Sequence, residues 1–148
     1  MKLSKKAEYA MRALLAMARD PETSTFGIQD IATREKIPLK FLEQILLNLK
    51  NGGLLRSKRG VGGGYQFQKA PTRITLREVI TLIDGPFEPI TCANAEKRSG
   101  GCDCGIPGGC GLGQAFTQLR QQVDDWLGNI SLAQVLERER RDTVSFDI

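Results

Sequence analysis

Four cysteines, Cys92, Cys102, Cys104 and Cys110, are all the thiols the chain has, and they share one short stretch. Half of the residues from Gly100 to Gly113 are glycine, which suits a backbone that turns tightly around something. Apart from Ile106 and Pro107 there is little apolar surface between Gly100 and Gly111, so burial alone does not repay the entropy of ordering this loop. A disulfide, a zinc ion or an iron–sulfur cluster could order it. Disulfides fit poorly, because the chain opens on Met-Lys-Leu-Ser-Lys with no signal peptide and cytosolic thiols are kept reduced. Zinc favours paired C-x₂-C knuckles, whereas the spacing here is C-x₉-C-x-C-x₅-C. Iron–sulfur clusters take thiolates from irregular glycine-rich loops whose N–H groups turn inward. An unligated loop stays open on spacing alone.

The elements that must position these cysteines are legible on either side. Leu3, Ala7, Ala10, Met11, Leu14, Leu15 and Ala18 recur at helical spacing, so an amphipathic helix is expected from Ser4 to about Arg19. From Ile28 to Leu49 the pattern is two short helices with a tight break, Pro38 opening the second. Ile31, Ala32, Ile37, Leu42, Ile45, Leu46 and Leu49 face inward, and Lys40, Glu43, Gln44, Leu47 and Asn48 point elsewhere. This is the form of a helix-turn-helix, whose second helix presents polar residues to the major groove. Leu54 to Arg59 and Tyr65 to Gln68 then read as a β-hairpin with a glycine tip, a wing. Lys50 to Gly60 carries four basic side chains and no acid, as phosphate contact requires. A nucleotide-phosphate loop would run straight into a helix, and a strand follows here instead.

Thr75-Leu76-Arg77-Glu78 is a capping-box signature opening a helix with Leu76, Val79, Ile80 and Ile83 inward, stopped by Gly85-Pro86. After the cysteines, Leu112, Phe116, Leu119, Val123 and Trp126 follow the 4-3-4-3 spacing of a coiled-coil seam, for which a second copy is the natural partner. Ser131 caps a last short helix, and a charged, solvated tail is expected from Glu137 to Arg141.

The remaining composition narrows the function class. The chain has 148 residues and no histidine, which excludes a histidine-dependent hydrolase. A net charge of +4 favours an acidic partner only weakly. No apolar run is long enough to span a membrane, and a cytoplasmic protein is expected.

Met1-Lys2-Leu3-Ser4-Lys5, the helix from Pro38 to Leu49, the Arg59 to Tyr65 wing and the cysteines together resemble the bacterial winged-helix transcription regulator family of IscR, NsrR, RirA and CymR, the Rrf-two type. The resemblance covers nearly the whole chain. It implies a non-enzymatic, homodimeric repressor or activator, mainly α with a small β-hairpin wing, bound to a pseudo-palindromic operator in double-stranded DNA. The winged helix-turn-helix domain would span residues 1–85, the cysteine-rich cluster-binding loop 86–111, and the dimerisation and C-terminal helices 112–148. For DNA contact it implies Leu39, Lys40, Glu43 and Gln44 on the recognition helix and Ser57, Arg59 and Gly60 on the wing. Glu43 could accept from cytosine N4, and Arg59 suits a narrow minor groove.

For the cofactor the resemblance implies a 2Fe-2S or 4Fe-4S cluster on Cys92, Cys104 and Cys110. Cys104 and Cys110 match the family spacing, and Cys92 matches by its place after the fourth helix, although it lies further from Cys104 than in the family pattern. Cys102 is an extra thiol, separated from Cys104 by Asp103 alone, so the two crowd neighbouring cluster corners. IscR-like members place a histidine where this chain has Gly113, and NsrR-like members use an acidic residue on the first helix that Glu8 resembles. A cluster held between the loop and the partner's first helix would set the spacing of the recognition helices and report iron, redox or nitric oxide status. The rivals are a cluster-free regulator of the same fold answering to a metabolite or thiol oxidation, and an iron–sulfur electron-transfer protein, for which a basic wing would have no purpose.

Overall fold

The computed structural model describes residues 2–93 and 110–146, with the side chains of 143–146 left out. Among the described residues, six α-helices are joined by one two-strand antiparallel hairpin. They are α1 (Lys5–Ala18), α2 (Ile28–Glu35), α3 (Leu39–Asn51), β1 (Leu55–Lys58), β2 (Gly64–Phe67), α4 (Leu76–Asp84), α5 (Gly111–Gly128) and α6 (Leu132–Phe146), with a 3₁₀ turn at Thr91–Ala93 before α5.

Helix α1 starts where the Ser4 hydroxyl accepts from the Ala7 N–H at 3.0 Å, and it buries Ala7, Ala10 and Ala13 beside Leu14 and Met17. Small residues on this face let the neighbouring helices approach closely. The break between α2 and α3 is Lys36, left-handed at φ 52°, after which the Ile37 N–H reaches the Ala32 carbonyl at 3.0 Å. Pro38 sits just outside α3, and its carbonyl accepts from both Phe41 and Leu42 at 3.0 Å. The turn drives Leu42, Ile45, Leu46 and Leu49 into one core with Leu14, Met17 and Val79.

The wing pairs Leu55 with Phe67 and Lys58 with Gly64. Its root is fixed twice: Leu54 and Leu55 are buried, and Phe26 and Tyr65 exchange two backbone hydrogen bonds at 2.9 Å. At α4 the Thr75 hydroxyl accepts from the Glu78 N–H at 3.2 Å, but the Glu78 carboxylate goes to Lys69 at 2.7 Å, so only half of the expected capping box forms. The full reciprocal box is at α6, between Ser131 and Gln134.

The last helix corrects an expectation. It is not short: it runs fifteen residues and takes in the charged run from Glu137 to Arg141. Those residues are good helix formers of alternating sign, and Leu132 and Leu136 anchor them to the body. The run is exposed as expected, yet Glu139 is held by Arg19 of α1 at 2.8 Å. Residues 130–132 also join the body through the backbone: Leu76 N–H bonds Ile130 O, and Leu132 N–H bonds Ile74 O, both at 2.9 Å.

Candidate nucleic-acid interface and cysteine site

Burying the inner face of α3 leaves Leu39, Lys40, Glu43, Gln44 and Leu47 exposed on its outer face. The wing follows α3 directly, the Leu54 N–H bonding the Leu49 carbonyl at 3.0 Å. Its exposed residues include Arg56, Ser57, Lys58, Arg59 and Gly60, the last left-handed at φ 94°. All seven residues expected at the DNA surface are therefore solvent-facing. A hydrogen-bonded chain missed by sequence reasoning steadies this surface: Thr25 accepts from Gln66 at 2.7 Å, and Gln66 accepts from Arg56 Nε at 2.9 Å. Gln66 alternates with the core-packed Tyr65 and Phe67, which could have marked it as outward but not as a guanidinium clamp.

A second feature missed in the sequence is an aromatic and cationic cluster on α1. Tyr9 meets Phe41 edge-on at 5.8 Å, with Lys5 and Arg12 over its ring at 5.6 and 5.5 Å. Glu8 lies in the same patch. Lys5 donates to it at 2.9 Å, Arg12 stands at 3.9 Å, and the Lys5 hydrogen bond is the main reason its carboxyl stays below the ordinary glutamate range. Within one chain Glu8 is thus engaged by cations at the surface.

Of the four cysteines, Cys102 and Cys104 lie outside the described residues, while Cys92 and Cys110 come together. Cys110 is the N-cap of α5, and its Sγ accepts from the Gly113 N–H at 3.3 Å. A Cβ at Gly113 would stand 3.5 Å from Cys92 Sγ and 3.8 Å from Cys110 Sγ, so both sulfurs flank one point on the first turn of α5. Thr117, one turn on, donates to the Gly113 carbonyl at 2.7 Å and lies 3.3 Å from the Ala93 carbonyl, which secures the turn carrying Cys92. Thiolates beside inward-turned N–H groups are the kind of donor an iron–sulfur cluster takes, and two of them meet at this helix start. No group of three ligating side chains forms among the described residues.

The seam expected on α5 divides. Leu112 and Trp126 are 62% and 56% exposed, and Phe116 and Leu119 are half-buried. Val123 turns toward its own chain, where with Leu127, Ile80 and Phe87 it lines an apolar cleft of about 390 Å³. Arg77 of α4 fastens the same side of α5 through Asp124 at 3.0 Å and crosses Gly128, where a Cβ would come within 2.7 Å of the guanidinium carbon.

A helix-turn-helix followed by a basic, rigidly rooted wing defines a winged-helix DNA-binding regulator. Residues 3–138 match the Rrf2 family model, described as an iron-dependent transcriptional regulator. The chain belongs to this family. It is 35% identical over 120 residues to an rrf2-like HTH-type regulator of Rhodobacter capsulatus, covering 79% of this chain and 80% of that one. It is 32% identical over 139 residues to the HTH-type transcriptional regulator IscR of Klebsiella pneumoniae, covering 94% and 82%. CymR, the global cysteine regulator of B. subtilis, shares the fold with a TM-score of 0.75 at 22% identity, over 93% of this chain and 98% of that one. These relatives are transcriptional regulators and not enzymes, and no helix among the described residues is long and apolar enough to cross a membrane.

Proposed function

We propose that this transcription regulator is a homodimer that binds a pseudo-palindromic operator through α3 and the wing and carries an iron–sulfur cluster on its cysteine loop. The observation that carries the cluster reading is the convergence of Cys92 and Cys110 on Gly113. Cys92, Cys104 and Cys110 would hold the cluster, with Cys102 as a spare thiol and the fourth site open or filled by the partner subunit's Glu8. Bound there, the cluster supplies a redox-active, exchangeable iron centre.

The chain's own residues supply the coupling. Cys110 begins α5, so a ligand on its sulfur bears directly on that helix, and Arg77 ties α5 to α4 of the winged body. Residues 1–85 would read DNA, 86–111 sense, and 112–148 join the copies. The exposed Leu112 and Trp126 support a partner on α5. A cluster-free regulator of the same fold, answering to a metabolite or thiol oxidation, is the second reading, favoured by the engagement of Glu8 with Lys5 and Arg12 within one chain.

Binding to duplexes selected from a random pool tests the DNA reading. Arg59→Ala should weaken binding by roughly 1–3 kcal/mol, and Glu43→Ala should relax base preference while retaining affinity. A footprint unchanged by both substitutions would remove α3 and the wing from the interface.

A further inference from the structure

From Gly60 to Gly64 the wing carries one side chain, that of Val61. Gly60 and Gly62 are left-handed at φ 94° and 70°, and the Gly63 N–H closes on the Gly60 carbonyl at 2.9 Å. A Cβ at Gly63 would stand 2.6 Å from the Lys58 carbonyl oxygen, so crowding excludes a side chain there, while at Gly60 and Gly62 the positive φ disfavours one. The apex is therefore narrow, its shape is set by its own backbone, and Val61 contributes nothing to the fold: its relative exposure is 106%, against 62% for Leu112, the next most exposed large apolar residue among those described.

An apolar group held out at the tip of a root-anchored hairpin beside Lys58 and Arg59 is placed to meet the interior of a polyanion's groove rather than its phosphates. The B-DNA minor groove is about 6 Å wide, which suits one side chain on bare backbone, whereas the major groove at about 12 Å would leave it loose. We propose that Val61 is seated in the minor groove and selects against guanine beneath the wing. This rests on the reading of the wing as a DNA-binding element. The minor-groove edges of A·T pairs carry acceptors only, while G·C adds the guanine N2 amino donor, which stands up from the groove floor. Valine methyls would strip water from the floor acceptors of either pair, but over G·C they would also bury the protruding amino donor with no acceptor to meet it, an added cost that an A·T pair does not carry.

The test uses the full chain and duplexes selected by it from a random pool, with each A·T pair in the wing-protected flanks replaced by G·C or by inosine·cytosine, which lacks the N2 amino group. At the position beneath Val61, G·C should weaken binding about tenfold and inosine·cytosine should stay within about twofold of A·T. Val61→Gly should bind all three alike with an unchanged salt slope. Val61→Thr, which keeps the shape and adds an acceptor, should recover G·C. The proposal is overturned if no flank position discriminates, if Val61→Gly keeps the preference, or if G·C and inosine·cytosine weaken binding equally, which would place Val61 on a thymine methyl in the major groove. A chain that retains no duplex at all would overturn the DNA reading and this proposal together; wild-type binding weakened by Arg59→Ala with no flank discrimination would overturn this proposal alone.

Discussion

Gly113 stands opposite Cys92 such that an added Cβ would lie 3.5 Å from the cysteine sulfur, in ordinary van der Waals contact, and any longer side chain would fill the space between Cys92 and Cys110. Gly113→Ala should therefore keep bound iron and, within α5, gain up to about 1 kcal/mol of helix stability. Gly113→Leu should lower iron affinity by roughly tenfold or more, as changes around metal ligands do. Iron content after anaerobic purification, with circular dichroism to confirm the fold, checks both. Equal iron in the leucine variant and the wild type would separate this turn from the cofactor.

Gly64 is where the wing meets the body. A Cβ there would come within 2.2 Å of the Phe26 carbonyl oxygen, and backbone on both sides cannot yield. Gly64→Ala should break the Phe26–Tyr65 bridge, cost about 1–3 kcal/mol in urea unfolding, and weaken DNA binding by loosening the wing. Unchanged stability and affinity would mean that the wing root is not a constraint.

On α5, Leu119→Glu would bring an unpaired carboxylate from each copy into the seam, which burial makes unfavourable. Light scattering should show monomers with the winged body still folded. A dimer of unchanged mass would move the interface off this face.

Glu139 holds α6 to α1 through two hydrogen bonds from Arg19, at 2.8 and 3.1 Å, and the Arg19 bond keeps its carboxyl below the ordinary 4.5. A carboxyl with a depressed folded pKa contributes stability above its unfolded value and loses it as pH falls through the folded value. Both side chains are more than two-fifths exposed, so solvent screens the pair and Glu139→Gln should cost less than about 1 kcal/mol at pH 7. That difference should vanish once the pH is taken well below 4.5. Thermal unfolding of both proteins across pH checks it; a gap that persists in acid would assign the effect to packing.

Much of this architecture is written in local patterns. The spacing of Leu42, Ile45, Leu46 and Leu49 identifies both the second helix of the helix-turn-helix and its buried face, and Gly60 to Gly64 between two short strands marks the wing. What escaped are pairings with no periodic signature. The bridge between Thr75 and Ser131 joins single residues far apart in the chain through their backbones, and the Thr25, Gln66 and Arg56 chain depends on tertiary placement. The length of α6 is hidden because a charged run suits a solvated tail as well as a helix, and Glu137 meets Arg140 and Arg141 at helical spacing only once the helix continues. At the site, four cysteines in one glycine-rich stretch raise the expectation of ligation, but nothing in their spacing says that Cys92 folds back to the start of α5.

The central claim, a cluster that governs DNA binding, is tested most directly by iron and acid-labile sulfide analysis of anaerobically purified protein, with operator affinity measured before and after cluster removal. The account predicts a coloured protein containing iron and sulfide, an affinity change of about tenfold on removal, and loss of colour in Cys92→Ala, Cys104→Ala and Cys110→Ala but not in Cys102→Ala. Colourless protein without iron or sulfide, binding its operator as tightly with Cys92→Ala as without it, would contradict the account.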